Sequence, residues 1–341
     1  MKRRATLNDI AIRMNLTKVS ISKALRDHPD ISESTKKKVR EIAEEIGYRP
    51  NLIARSLTSS RTSTLGVVVP KIAHNFFAHV VAGIQKYANA RGYEIVLTVS
   101  DEDAELEKKH IEALVSMQVD GLLVSVSMQT KQTDVYKWVK DLQIPLVFFD
   151  RYIPGLDFNS VAIDDQRAAK DSVVELIKKG CKKIAHIGGY DHVIIGQQRR
   201  LGYEEALKKQ GIDPDPQMIV LGGFGEAAGY NGFKELINRK VEMDALFAVT
   251  FPVALGAYVA MREIDSTLID KITVLAFGDS GIRGIVPYPQ YYVDQPGMEI
   301  GQMATEMLLK EINGEMKPVG HLEYIPTRFV KTGWDFPLLD F

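Results

Sequence analysis

A chain of 341 residues with 45% hydrophobic and 26% charged residues has room for more than one folded domain, and its composition excludes a disordered or fibrous protein. The lone cysteine, Cys181, excludes an internal disulfide and a cysteine-based zinc site. No apolar run approaches ~18 residues and the N-terminus is basic, without a signal-peptide core, so neither a membrane nor an exported protein is expected and the cytoplasm is the expected compartment.

The charge is unevenly spread. Residues 1–64 hold 14 Lys and Arg against 7 Asp and Glu, a net of +7, which leaves −8 on the remaining 277 residues of a chain whose total is −1. A basic segment ahead of an acidic body is the pattern of a nucleic-acid-binding head. Thr6 is placed to cap a first helix, with Asp9 three residues on to close a capping box. Leu7, Ile10, Ala11 and Met14 then share one helical face. Asn15-Leu16 breaks the pattern and Thr17 is a second cap. The helix it starts turns Ile21, Ala24 and Leu25 inward and Lys18, Ser20, Lys23 and Arg26 outward. Two short helices across a tight turn make a helix-turn-helix, whose second helix lies in the major groove. A solvated charged surface would carry the same charge, but its coincidence with this motif favours DNA. A third helix over 32–46 is capped by Ser32, striped by Val39, Ile42, Ala43 and Ile46, and stopped by Gly47.

Pro50 suits the entry of a short helix over about 51–58, with Leu52, Ile53, Ala54 and Leu57 on one side and Arg55 and Arg61 able to meet phosphates. The body, from about residue 62, alternates strands and helices. Strands are expected over 64–70, 93–99, 120–126 and 144–149, with one helix containing 79–90 and others at about 105–117 and near 132–142. The alternation resumes with strands at 183–188, 218–221, 244–250 and 272–277 and helices at 197–209, 226–239, 253–264 and about 297–312. Nearly all-apolar strands separated by helices mean parallel sheets covered on both faces. The expected fold is an all-α helix-turn-helix head followed by an α/β body of two doubly wound subdomains, with a ligand cleft at the carboxyl ends of the strands.

The run from Thr6 to Arg26, GYRPNLIARSL (47–57), STLGVVVP (63–70), DGLLV (120–124), RLGY (200–203) and DQP (294–296) together resemble the LacI/GalR family of bacterial transcription regulators. The resemblance spans essentially the whole chain. It implies a sequence-specific regulator, a repressor, that binds a palindromic double-stranded DNA operator as a homodimer under the control of a small-molecule effector. It also implies a DNA-binding domain at 1–50, a hinge helix and linker at 51–61, and an effector-binding and dimerisation domain of periplasmic-binding-protein type I fold at 62–341. The first subdomain would hold about 62–161 and 293–325, and the second about 162–292 and 326–341, with crossings near 161–164, 290–294 and 325–328.

For the head, the resemblance implies that Lys18 and Val19 face base edges and that Lys23 is a third reader, with Thr6, Thr17 and Ser20 completing the DNA-facing set. In the hinge, Asn51, Ala54, Arg55 and Leu57 would meet the minor groove, with Leu57 as the intercalating wedge. Such wedges kink the duplex at a cost of a few kcal/mol per unstacked step. Leu57→Ala is therefore expected to weaken specific binding far more than non-specific binding in a gel-shift titration, and equal losses would rule the wedge out.

For the cleft, the implied effector residues are Phe76 or Phe77, Asp150, Arg200, Phe224, Thr250, Phe251 and Asp279. The competing reading of each is a structural ion pair or a packed aromatic. Two departures bear on the ligand. Many family members carry Asn-Asp where this chain has Thr250-Phe251, and the aspartate of a Gly-Tyr-Asp motif matches Gly278, with Asp279 one position later. The cleft is then more apolar than a simple monosaccharide site. A carbohydrate or sugar derivative ranks first as effector, and a purine or other metabolite next.

Other functions fare worse. The stretch 223–228 fits the G-x-G-x-x-A dinucleotide fingerprint, but no acidic residue ends the following strand at Thr250. No phosphate-binding G-x-x-x-x-G-K-[ST] and no G-x-S-x-G elbow occurs, and the seven histidines lack H-E-x-x-H spacing. No enzyme activity, cofactor or metal is expected; His74 and His79, five apart, read as surface or packing residues. A secreted solute-binding protein with the same body would need export and would have no use for a helix-turn-helix. Pro337 and the absence of heptads near the C-terminus favour a dimer over a tetramer.

Overall fold

The computed structural model describes residues 5–25, 27–48, 61–73, 75–278 and 289–332. The expected hinge, with Asn51, Ala54, Arg55 and Leu57, lies outside the described residues, as do Arg26, His74, Asp279 and 333–341. The chain divides after Thr62 into two compact units.

The first unit contains helices α1 (Leu7–Met14), α2 (Lys18–Leu25) and α3 (Glu33–Glu45). Asn15, with φ of +51°, ends α1 in the left-handed region that asparagine tolerates. Ser32 caps α3 by accepting from the Thr35 backbone N–H at 3.3 Å. The striped residues meet as the periodicity requires: Ile10, Ala11, Ile21, Ala24, Val39 and Ala43 form a buried core, with Leu7, Met14, Leu25, Ile42 and Ile46 packed against it.

The second unit opens with β1 (Thr64–Val69), α4 (Asn75–Asn89), β2 (Glu94–Val99), α5 (Ala104–Ser116), β3 (Gly121–Val124), α6 (Asp134–Asp141), β4 (Leu146–Phe149) and β5 (Asn159–Ala162). It continues with α7 (Asp165–Lys178), β6 (Ile184–Gly188), α8 (Ile194–Lys209), β7 (Ile219–Leu221), α9 (Glu226–Asn238), β8 (Ala245–Ala248), α10 (Phe251–Ile264), α11 (Leu268–Lys271) and β9 (Thr273–Phe277). It closes with β10 (Tyr291–Asp294), α12 (Gly297–Ile312), β11 (Leu322–Tyr324) and β12 (Arg328–Lys331). One sheet runs β11-β5-β4-β3-β1-β2 and the other β12-β10-β9-β8-β6-β7. Every pairing is parallel except β10 with β12. Central strands β3, β4, β5, β6 and β8 are buried along their whole length, as a sheet covered on both faces demands. In each sheet the strand order reverses beside the first strand, β1 or β6, and those switch points open the cleft.

The chain passes between the sheets at 163–164, 295–296 and 325–327. The second passage comes after the expected 290–294, because β10 stays paired with β9 and β12 through Val293 and Asp294. Helices α7 and α11 and strands β5, β10, β11 and β12 are not among the expected elements. Helix α4 starts at Asn75, ahead of the expected 79–90 stretch, so Phe76 and Phe77 sit in its first turn, not in a loop.

Two helix pairs are sealed by glycine. A Cβ at Gly229 would run into the Val253 carbonyl, and one at Gly256 into the Glu226 carbonyl, so α9 and α10 touch backbone to backbone. Gly83 and Gly301 do the same for α4 and α12, which is how α12 returns to the first sheet. Adding one methyl at Gly256 forces the helices apart, an overpacking cost of about 3 kcal/mol. Calorimetry on Gly256→Ala should show the body's melting temperature falling by roughly 5–10 °C; a change of about one degree would mean that the helices have room to spare.

Glu311 titrates near neutrality. It is 8% exposed, accepts from Asn159 Nδ2 at 2.7 Å, and among the described residues has no partner for Oε2. Burial pushes its carboxyl from 4.5 up to about 7, against the Asn159 hydrogen bond. The folded state holds this proton more tightly than the unfolded chain, so the fold loses stability as pH rises from about 4.5 to 7 and no further above it. Glu311→Gln should flatten that part of the pH–stability curve, worth about 1–3 kcal/mol in urea unfolding at pH 5 and pH 8. An unchanged slope would place the titration elsewhere.

Candidate functional site

The first turn of α2 carries the exposed chemistry of the head. Thr17 caps the helix by accepting from the Ser20 backbone N–H at 3.1 Å, and the two hydroxyls lie 3.0 Å apart. Lys18 and Val19 point into solvent beside them. Val19 is 65% exposed, an apolar β-branched side chain with no core to join. Thr6 stands exposed at the start of α1, its backbone N–H and hydroxyl both donating to Asp9 Oδ2 at 2.7 and 2.8 Å. Lys23 differs: its Nζ is held by Asp30 Oδ2 at 2.8 Å, and this contact, with the charge of His28, holds the Asp30 carboxyl below its usual range. A phosphate or base would have to displace that carboxylate to engage Lys23.

In the body, a cleft of about 250 Å³ lies at the carboxyl ends of both sheets. Phe76, Phe77, Asp150, Thr250 and Phe251 line it together. Two other expected residues do not. Phe224 is buried behind the lining at 4% exposure, with the Arg151 guanidinium 5.2 Å over its ring. Arg200 faces away, paired with Asp191 Oδ2 at 3.1 Å and Glu204 Oε1 at 3.5 Å.

The arginine of the cleft is Arg199. Successive helical residues diverge by about 100°, so one position decides which way a side chain faces. The inward face of α8 is marked by Tyr203, buried with its hydroxyl on the Ile184 carbonyl at 2.7 Å, and Arg199 is four residues before it. That spacing was the signal that selects Arg199 over Arg200. Arg199 is 1% exposed, with Nε on Asp165 Oδ1 and Nη1 on the Val249 carbonyl, both at 2.7 Å, and its guanidinium 4.0 Å over Phe277.

The cleft gathers buried charge. Burial pushes Asp150 up to about 6, opposed by the neighbouring Arg151. Burial also raises Asp165, opposed by the charge of Arg199. Arg151 gives two hydrogen bonds to Glu102, and among the described residues its Nε has no acceptor. Such a site offers a ligand charged donors and a carboxylate between aromatic walls, the set that orients a polar molecule with apolar faces. The departures noted above are visible here. Thr250 lines the cleft, but its hydroxyl donates to the Phe224 carbonyl at 2.8 Å and accepts from the Val253 N–H at 3.4 Å. Gly278, with φ of +86°, lines it with no side chain at all. Among the described residues no cluster of three metal-ligating side chains occurs, and no helix is long and apolar enough to cross a membrane.

Residues 6–51 match the family described as bacterial regulatory proteins, lacI family, and residues 62–332 match periplasmic binding proteins and sugar binding domain of LacI family. The chain is 31% identical over 310 residues to the HTH-type transcriptional regulator RegA of Clostridium saccharobutylicum, covering 90% of this chain and 92% of that one. A solved complex of the transcriptional regulator CelR with cellobiose is 25% identical, with a TM-score of 0.72 over 96% of this chain and 98% of its own. The lac repressor dimer bound to operator and the anti-inducer ONPF shares the fold at 21% identity, with a TM-score of 0.84 over 96% and 98%. The three-helix head, the two-sheet body and both family matches agree: the chain belongs to the LacI family of bacterial regulatory proteins and is a DNA-binding transcriptional regulator, not an enzyme.

Proposed function

We propose that this regulator acts in the cytoplasm as a homodimeric repressor, each head reading one half of a palindromic operator. The observation that carries the reading is the first turn of α2, where Lys18 and Val19 stand exposed with no structural task. Residues 1–50 are the DNA-binding domain, 51–61 the hinge and linker, with Asn51, Ala54, Arg55 and Leu57 on the minor groove, and 62–341 the effector-binding and dimerisation domain. Thr6, Thr17 and Ser20 meet phosphates, and Lys23 is the third base reader once released from Asp30.

The effector enters the cleft between Asp150, Arg151 and Arg199 and shifts a two-state relation between the body's halves, since only a ligand that favours one state moves the equilibrium. A carbohydrate or sugar derivative fits the charged end of the site, and the CelR relative holds cellobiose in its solved complex. The second reading is a purine or other planar metabolite, favoured by the absence of a carboxylate at Thr250 and Gly278 and by the aromatic walls Phe76, Phe251 and Phe277. Titration calorimetry of the full chain with cellobiose and with hypoxanthine separates the two. Heat with the sugar supports the first reading and heat with the base alone the second. No heat from either, nor from a panel of pentoses, disaccharides and nucleobases, would contradict an effector of these classes.

A further inference from the structure

A closed ring of contacts links the two halves of the body through Arg151 in the wall of the cleft, and one carboxylate anchors it. Asp101 and Glu102 follow β2 with φ of +47° and +65°. Two consecutive left-handed residues without a glycine persist only where the surroundings over-determine them. This turn sends the Glu102 side chain inward, where it is 4% exposed. It accepts from Arg151 Nη1 at 3.0 and 2.8 Å, and from the backbone N–H of Met128 at 2.8 Å.

Both of those partners reach the other half of the body. Met128, in the loop after β3, packs its side chain against the core of the second sheet. Its carbonyl lies 2.8 Å from His192 Nε2, in the loop before α8. A carbonyl only accepts, so Nε2 carries the proton. His192 stacks on Tyr190 at 5.5 Å, and Tyr190 meets the edge of Phe224 at 6.3 Å. Phe224 lies beneath the Arg151 guanidinium, which closes the ring. The ring therefore crosses the cleft at Met128–His192 and at Arg151–Phe224, and Glu102 holds the first-half partner of each.

Arg151 also lines the cleft. Among the described residues its buried Nε has no acceptor, and Asp150 Oδ2 is 3.9 Å away. An acceptor on a bound molecule would satisfy that donor and fix the guanidinium that Glu102 grips. We propose that Glu102 is a positioning residue that ties the cleft-lining Arg151 to a clasp across the cleft, Met128–His192, so that occupancy of the cleft and its closure are set together. The proposal rests on the reading of the cleft as the effector site, but the clasp itself is tested without any effector.

The test is hydrogen exchange on the full chain, comparing wild type with Glu102→Gln, His192→Ala and Arg151→Lys. Glu102→Gln should speed exchange roughly tenfold at both 127–130 and 190–193, the change expected when one hydrogen bond is lost. Arg151→Lys, made inside the cleft, should loosen 190–193 as well. Strand amides at 121–124 and 184–188 should keep wild-type protection, which a merely structural role for Glu102 would not leave intact. His192 is on the surface, so His192→Ala folds even if the other variants do not, and it should speed exchange at 127–130. Unchanged exchange at 127–130 in His192→Ala, or a Glu102→Gln effect confined to 100–103, overturns the clasp. Failure of the effector reading would appear instead as silent calorimetry with this exchange pattern intact.

Discussion

Replacing Arg199 with methionine should lower the stability of the body by about 3–5 kcal/mol, because it strands a buried partner rather than removing a surface ion pair. Asp165 is 7% exposed and relies on Arg199 Nε at 2.7 Å for its counter-charge. Burial already raises the Asp165 carboxyl, and loss of Arg199 removes what opposes that rise. The stranded carboxyl then takes up a proton on folding, so the loss should be larger at pH 8 than at pH 5.5. Adding Asp165→Asn removes the stranded charge and should recover most of the urea midpoint. Effector binding should stay lost in the double variant, because the guanidinium over Phe277 is still missing. Calorimetry beside urea unfolding separates the two effects. A single variant as stable as wild type would mean that Asp165 finds another partner, and full binding in the double variant would remove Arg199 from the site.

The second large effect lies on α2. Lys18→Ala should weaken operator binding by about 1–3 kcal/mol, a 5- to 150-fold rise in Kd, and relax the preference at one base position in each half-site. Val19→Ala should do less, since it removes only an apolar contact. Binding to unrelated duplex should change little in either variant. A uniform loss for Lys18→Ala across all sequences, with a salt slope smaller by about one, would make Lys18 a phosphate contact instead.

The head was legible because each of its signals is local. Caps at Thr6, Thr17 and Ser32 and a 3.6-residue apolar stripe fix three helices, and the same stripes form the core. The body's central strands were legible from unbroken apolar runs. What escaped were elements whose identity depends on neighbours. Strands β5, β11 and β12 are three or four residues long and exist because an edge is there to pair with. The aromatic pair Phe76-Phe77 reads as a ligand loop, yet it forms the first turn of α4, with both rings on the cleft and Phe77 otherwise buried in the core. The cleft itself was half legible. Strand ends marked Asp150, Thr250 and Phe251, but choosing between Arg199 and Arg200 required knowing which face of α8 is inward, and Tyr203 alone carried that. No sequence pattern points to Glu102, because its role depends on a strained turn that brings it beneath Arg151.

The central claim is that this chain reads DNA sequence through α2. The most direct measurement is a selection of fragments bound by the purified full chain from its source genome, at near-physiological salt, run in parallel with Lys18→Ala. The account predicts enrichment of a short palindrome by the wild type and its loss or relaxation in the variant. Recovery of fragments with no common sequence, from wild type and variant alike and with or without a pool of cell metabolites, would contradict it.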